Sequence, residues 1–193
     1  MTTYVVLLRG VNVGGNRRVP ASDLRSAAAD AGLHDARTYA NSGNLVAAGS
    51  AVDDGAGPDA PTADVTDVAD ALASALAGRV GLEVPLLVVT AARLERLVAA
   101  VPFPETAHED PARLQLHLGP RDVDDDGLAR LAARHDGPER LATAEGALYV
   151  HYVDGLGRTR LNGPRIDEAA GTWTTGRNWR TVTRLVAMAN ERP

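Results

Sequence analysis

The chain has 193 residues, of which 45% are hydrophobic and 23% charged, and it carries a net charge of −5. This composition is typical of a globular protein, and the length is enough to bury a hydrophobic core without disulfides. The sequence contains no Cys, and all its cationic side chains are Arg. These absences exclude thiolate metal ligands, a thiol nucleophile, a Schiff-base lysine and a Walker-type phosphate loop.

In the first half, apolar runs rich in β-branched residues predict buried strands, and apolar residues spaced three or four apart predict helices. The predicted elements are a strand at 4–8, a loop at 9–19, a helix from Pro20 to Gly32, strands at 36–40 and 45–48 around the turn 41–44, a helix at 65–80 and a strand at 84–89. This order is the split-βαβ arrangement, so we predict a ferredoxin-like unit over residues 1–90. The acidic, Ala- and Gly-rich stretch 49–63 is predicted to be a mobile surface insert.

The second half is predicted to be another, smaller α+β unit over residues 91–193. Its predicted elements are a helix ending at Pro102, a strand at 114–118 with one wet face, a helix beginning at 122–126, a hairpin of 140–144 and 147–153, a short helix at 161–170 and a last helix at about 177–190. Thr174 or Thr175 would cap the last helix, which could pack back on the first unit. The fold class is therefore predicted to be α+β, and no internal repeat is evident.

Charge is distributed unevenly along the chain. Residues 1–20 carry three Arg and no acid, and residues 157–193 carry seven Arg against three acids. Residues 49–126 carry 15 acids against five Arg. Basic termini around an acidic middle can form an anion-binding face, although an ordinary solvated surface shows the same pattern.

Two polar segments carry the residue types of a ligand site. The first, residues 9–16, follows the first strand, and its glycines would let backbone N–H groups approach an anion. Its spacing is not that of a dinucleotide fingerprint, and a purely structural turn explains the same residues. The second, residues 174–181, lies at the predicted start of the last helix, where Arg177, Arg180 and Arg184 would share one face near free N–H groups. Trp179 falls on the opposite side and is predicted to be a core anchor.

Other chemistries find little support in the sequence. The five His show no i, i+4 pair, so no metal site is predicted. The run Asp124–Asp126 lacks the rest of a calcium loop, and Ser42 lies in a turn and not in a nucleophile elbow. No cofactor and no set of catalytic residues is predicted.

Three motifs in order resemble one bacterial family, the domain-of-unknown-function family numbered 1697. They are Leu8-Arg9-Gly10-Val11-Asn12-Val13-Gly14-Gly15, then Arg37-Thr38-Tyr39 running into Asn41-Ser42-Gly43-Asn44, and finally Thr175-Gly176-Arg177-Asn178-Trp179-Arg180-Thr181-Val182. The resemblance covers residues 3–190 and implies a cytosolic α+β protein with a ferredoxin-like N-terminal unit. It implies no particular activity. The chain departs from the family in its acidic insert, and in Arg17 and Arg18, where Lys or a polar residue is common.

The first functional hypothesis is binding of a small phosphorylated or other anionic ligand. Loop 9–16, turn 41–44 and helix start 175–180 would converge on one basic patch. The predicted ligand-binding residues are Arg9, Asn12, Gly14, Gly15, Asn41, Ser42, Asn44, Arg177 and Asn178. Nucleic acid fits less well, because only 4% of the residues of this acidic chain are aromatic and could stack on bases.

Two alternatives use the same residues differently. In one, the protein is structural or mediates interactions, and its Arg and Asn side chains are caps and ties between the two halves. In the other, it is a metal-independent enzyme in which Arg9 and Arg177 clamp an anionic substrate and Tyr39 or an acid moves a proton.

Location and assembly are predicted only in outline. The apolar run Tyr4–Leu8 ends at Arg9 and is too short for a signal peptide or a membrane span. We therefore expect a cytoplasmic protein with no membrane partner. The edge strands of a split-βαβ sheet leave a homodimer open.

Overall fold

The computed structural model of the protein describes residues 1–12, 17–49 and 63–191. The predicted acidic insert lies outside the described residues except at its two ends. Gly49 there is the last residue of a strand and Ala63 the first residue of a helix, so the insert is shorter at both ends than predicted. The chain divides into two compact units, Met1–Leu94 with Leu185–Pro193, and Glu95–Arg184.

The first unit confirms the predicted ferredoxin-like arrangement. Its elements are β1 (Thr2–Leu8), α1 (Ala21–Asp30), β2 (His34–Tyr39), β3 (Asn44–Gly49), α2 (Ala63–Val80) and β4 (Leu86–Thr90). The strands form an antiparallel sheet in the order β2-β3-β1-β4. The apolar stripes of α1 and α2, including Leu24 and Leu72, pack in one cluster with alternate residues of β1 such as Tyr4 and Val6. This burial stabilises the sheet face that carries them.

The second unit repeats the same topology. Its elements are β5 (Leu114–Leu118), α5 (Asp125–Arg134), β6 (Arg140–Ala144), β7 (Ala147–His151), α6 (Gly163–Ala170) and β8 (Thr175–Asn178). The sheet order is β6-β7-β5-β8, so second, third, first and fourth strands are neighbours as in the first unit. Both halves of the protein are therefore split-βαβ units.

Each face of the second sheet is buried. Leu148 and Val150 of β7 pack with Leu128 of α5 and Ile166 of α6 on one face. On the other face the Tyr149 hydroxyl donates to the carbonyl of Leu97 at 2.6 Å. The Tyr149 ring also lies 6.2 Å, centroid to centroid, from the buried ring of Trp179, which is a core anchor as predicted.

The remaining helices are α3 (Ala91–Ala99), α4 (Pro104–Glu109) and α7 (Trp179–Asn190), with short 3-10 turns at Pro111–Arg113 and Leu156–Arg158. Helix α4 is missing from the sequence prediction, which has no helix between Pro102 and the strand at 114–118. Pro104 is the first residue of that helix, where a missing N–H costs nothing. No helix of the described residues is long and apolar enough to cross a membrane.

The end of α7 is tied to the first sheet by Arg37. This side chain on β2 donates to the carbonyl of Met188 and to the carboxylate of Glu191, the latter at 2.9 Å. Arg37 belongs to the second sequence motif, and its contacts here hold the fold together.

Candidate functional site

The first polar segment begins where β1 ends, and backbone hydrogen bonds fix its start. The N–H of Leu8 donates to the carbonyl of Gly43 at 2.8 Å, and the N–H of Arg9 donates to the carbonyl of Pro85 at 2.8 Å. Gly10 follows with a φ of +65°, a value at which a side chain is strained. The chain therefore leaves the sheet along a defined path, with the Arg9 side chain half-buried beside it.

Asn12 forms hydrogen bonds to residues that follow this segment in the chain. Its amide oxygen accepts from the N–H of Val19 at 3.0 Å, and its Nδ2 donates to the carbonyl of Val19 at 3.2 Å. The same Nδ2 donates to the carbonyl of Asn41 at 2.6 Å, and the Asn12 N–H donates to the carbonyl of Arg17 at 3.1 Å. Asn12 thus links the segment after β1 to the turn between β2 and β3.

The turn itself is organised by Asn44, which is fully buried. Its Nδ2 donates to the carbonyl of Tyr39 at 3.0 Å and to the Oγ of Ser42 at 2.9 Å. Asn41 and Ser42 are exposed at the tip. A buried side-chain amide with these partners fixes the turn, and it leaves the tip residues facing water.

Gly43 allows the turn to approach β1 closely. Its φ is +71°, and an added Cβ would lie 2.6 Å from both the Leu8 Cβ and the Val11 Cγ2. No side chain fits there without displacing the buried residues beneath.

The cavity enclosed by these residues is too small for an anion. It has a volume of about 20 Å³ and is lined by Asn12, Val19, Ala21, Leu24, Thr38, Ala40, Asn41, Gly43 and Asn44. That is room for about one water molecule. Any ligand would bind outside this cavity, over the exposed residues that surround it.

Cationic side chains and a helix start lie beside this cluster. Arg17 and Arg18 are exposed, and among the described residues neither forms an ion pair or a side-chain hydrogen bond. Helix α1 begins after Pro20 with no capping side chain, which leaves first-turn N–H groups available, and the acidic Asp23 lies in that first turn. The predicted ligands Gly14 and Gly15 lie outside the described residues.

The second polar segment differs from its prediction. Residues 175–178 form strand β8, and α7 begins only at Trp179, so Arg177 does not share a helix face with Arg180 and Arg184. Pairing with β5 along its whole length determines this local structure, because a ladder of backbone hydrogen bonds outweighs helix propensity.

Arg177 and Asn178 are used by the fold of the second unit. Arg177 is only 8% exposed, and its Nη1 donates to the Oγ1 of Thr175 at 2.8 Å and to the carbonyl of Gly176 at 2.9 Å. Burial lowers the pKa of Arg177 to about 10. Asn178 accepts from the N–H of Arg180 at 3.1 Å, and so caps α7 in place of the predicted Thr.

Comparison with known proteins identifies the family. Residues 1–149 match the family described as "Protein of unknown function (DUF1697)". The chain belongs to the DUF1697 family. No curated protein matches its sequence. A conserved bacterial protein of Streptococcus pneumoniae, SP0830, has a similar structure with a TM-score of 0.69 and 19% identity, over 98% of this chain and 99% of that one. The identity is low, so this likeness shows a shared fold.

The DUF1697 match includes the segment after β1 and the turn 41–44 and ends at Tyr149. The segment 175–182 lies beyond the matched residues. The family match therefore covers the part of the predicted site in the first unit and does not cover residues 175–182.

One titratable side chain of this DUF1697 protein was missed by sequence reasoning. The strand at 114–118 was predicted to have one wet face, but His117 on β5 is only 7% exposed. Register pairs it with Leu148 and Gly176, so its ring lies on the sheet face covered by α5 and α6. Its Nε2 has no hydrogen-bond partner in the described part of the chain. Burial lowers the pKa of His117 to about 4, a shift that the nearby Asp167 opposes and Arg177 reinforces.

The described residues contain no group of three or more His, Asp or Glu side chains that could hold a metal ion. The segment after β1 and the turn 41–44 therefore offer a ligand hydrogen-bond donors and positive charge.

Proposed function

We propose that the protein binds a small anionic ligand, of the size of a phosphorylated metabolite, at one site in its first unit. We call this the N-terminal loop site, and it comprises Arg9, Asn12, Gly14, Gly15, Arg17, Arg18, Asn41, Ser42 and Asn44. The observation that carries the proposal is the pair of exposed guanidinium groups of Arg17 and Arg18, which have no partner among the described residues, beside the uncapped start of α1.

Charge supports an anion as the ligand. Residues 1–20 hold three Arg and no acid in a chain whose net charge is −5. Guanidinium groups form paired, charge-assisted hydrogen bonds with phosphate and carboxylate, and helix starts add free N–H donors. A local positive potential on an acidic protein also attracts such a ligand from solution.

Backbone geometry favours a fixed binding site and argues against an ordinary solvated surface. Asn12 and Arg17 have φ values of +56° and +50°, which non-glycine residues rarely adopt. The hydrogen bonds of Asn12 hold this conformation. Strain kept in place by a dedicated side chain is frequent at binding sites.

The proposal assigns different roles to the predicted residues. Arg9, Arg17, Arg18 and the exposed Ser42 would contact the ligand, whereas Asn12 and Asn44 would hold the loop and the turn. Arg177 and Asn178 would act in the fold of the second unit, Asn178 as a helix cap of the kind that the structural alternative expects.

Titration with ribose 5-phosphate at low salt, with the affinity read by NMR from the backbone amides of residues 9–12, 17–23 and 41–44, tests this proposal. The variant Arg17→Gln/Arg18→Gln removes both charges and keeps the side-chain length, and its matched control is Arg158→Gln/Arg160→Gln. We expect about a tenfold or larger loss of affinity in the first variant, because each charge-assisted bond contributes about 1.5–3 kcal/mol, and no loss in the control. Equal affinities of the two variants would refute the site.

A further inference from the structure

A second set of arginines lines a groove between α5 and α6 in the second unit. The groove has a volume of about 270 Å³ and is lined by Gly127, Arg130, Leu131, Arg134, Arg165, Glu168 and Ala169. We call it the α5–α6 groove. It is separate from the N-terminal loop site, since all its residues belong to the second unit.

The floor of the groove is held rigid by a close helix contact. A Cβ at Gly127 would collide with the carbonyl of Ala169, so only Gly lets α5 approach α6 this closely. Leu128 and Ile166, the next residues inward on the two helices, are buried in the core. The lining side chains are therefore mounted on two helices whose spacing is fixed by packing.

The three guanidinium groups have weak partners within the protein. Arg134 forms no ion pair or hydrogen bond among the described residues. Arg165 reaches only the carbonyl of Arg160, at 3.5 Å. Arg130 lies 3.5 Å from Asp124, and the two side chains are 62% and 46% exposed. Exposed pairs at this distance contribute little to stability, so Arg130 can exchange Asp124 for an anionic ligand at small cost.

Charge and size together indicate the ligand. Three Arg against the carboxylates of Glu168 and of Asp124, which lies 3.5 Å from Arg130, leave an excess of one positive charge, which favours an anion such as a phosphate monoester. The volume lies just below the ~300–1,000 Å³ of pockets for drug-sized ligands, so the ligand is small. Leu131 and Ala169 offer an apolar wall, and the Glu168 carboxylate can accept a hydrogen bond from a hydroxyl group.

We propose that the α5–α6 groove binds a phosphate monoester of a small polyol or sugar. Arg130, Arg134 and Arg165 hold the phosphate, and Glu168 accepts from a hydroxyl of the organic part. A nucleic-acid strand is the less suitable ligand, because no aromatic side chain lines the groove and bases would have nothing to stack on.

The test is titration calorimetry with ribose 5-phosphate, with ribose, inorganic phosphate and a single-stranded oligonucleotide as comparison probes. It is carried out in the full chain carrying Arg17→Gln/Arg18→Gln, so that the N-terminal loop site does not contribute. The groove variants are Arg134→Gln and Arg165→Gln, and the control is Arg158→Gln, an exposed arginine outside the groove. All three positions are exposed, and thermal unfolding checks that each variant folds.

We expect saturable binding of ribose 5-phosphate, weakened about tenfold by each groove variant and unchanged by the control. Ribose should give no heat, and inorganic phosphate should bind more weakly than the ester. The proposal is overturned if ribose 5-phosphate does not bind, if the control loses as much affinity as the groove variants, or if only the oligonucleotide binds.

Discussion

At the scale of single residues, His117 is a buried titratable side chain whose surroundings lower its pKa strongly. Its ring is buried between β5, β7 and β8 on one side and the α5–α6 layer on the other, with Nε2 unpaired among the described residues. The carboxylate of Asp167, which accepts from the N–H and hydroxyl of Thr174 at 2.7 and 3.0 Å, does not compensate for the lost hydration. His117 is therefore neutral in the folded protein at neutral pH.

This burial predicts that stability falls in mild acid. The pKa of His117 drops from 6.5 when unfolded to about 4 when folded, so between these pH values the unfolded chain binds a proton that the folded protein does not. The contribution of His117 is fully present above pH 6.5 and is lost as the pH falls towards 4, which amounts to about 3 kcal/mol. Urea unfolding from pH 7 to 4.5 measures it.

The matched variants are His117→Gln and His108→Gln, of which the second removes an exposed His. The stability of His117→Gln should depend less steeply on pH than that of the wild type, and His108→Gln should follow the wild type. The same slope in all three proteins would contradict the assignment.

Gly43 allows a second residue-scale prediction, because Gly32 is a natural control. Both have φ above +70°, but a Cβ at Gly43 would collide with Leu8 and Val11, whereas a Cβ at Gly32 meets nothing within 4 Å. Gly32→Ala should therefore cost only the backbone strain, about 1–2 kcal/mol. Gly43→Ala should cost about 1–3 kcal/mol more, because of the added overpacking. Equal losses in urea unfolding would show that β1 and the turn are not in close contact.

At the scale of elements, most strands and helices could be predicted from the sequence because their periodicity follows from burial. The apolar, β-branched run of β1 and the apolar stripe of α2 are two examples. The start of α7 could not, since Thr175–Asn178 has no apolar alternation and becomes a strand only by pairing with β5. The burial of His117 was missed for a related reason, because both faces of the second sheet are covered.

Asn178 marks the true start of α7 and gives an element-scale prediction. Its Oδ1 accepts from the N–H of Arg180, and its Nδ2 donates to the carbonyl of Ala112 at 2.8 Å. Asn178→Ala should destabilise the protein by about 1–2 kcal/mol through loss of the cap. Asn178→Ser keeps a capping acceptor without placing a carboxylate against the carbonyl of Ala112, and it should cost less. If both variants unfold at the wild-type urea concentration, the cap does not contribute.

At the scale of the whole molecule, the chain contains the same split-βαβ topology twice. Each unit has one helix after its first strand, another after its third strand, and neighbours in the order second, third, first, fourth. Topology depends on the order of the elements and on which faces are apolar, and different side chains can encode the same order and the same faces. For this reason no repeat was evident in the sequence. The second unit was predicted only as α+β for that reason.

The candidate site was predictable only in part. The Gly- and Asn-rich segment after β1 and the turn 41–44 do meet in the first unit, through Asn12. The sequence alone could not show which of these polar side chains form hydrogen bonds within the fold and which are left for a ligand. Asn44 and Arg177 look like ligands in the sequence, but in the structure both are buried and bonded to their own units.

The measurement that tests the N-terminal loop site most directly is a titration of ribose 5-phosphate followed through the backbone amide signals of the 20.2 kDa protein by NMR. Ligand binding at this site predicts saturable shifts for the amides of residues 9–12, 17–23 and 41–44, which disappear in Arg17→Gln/Arg18→Gln. If these amides do not shift, or shift equally in that variant, the protein does not bind its anion at the loop after β1.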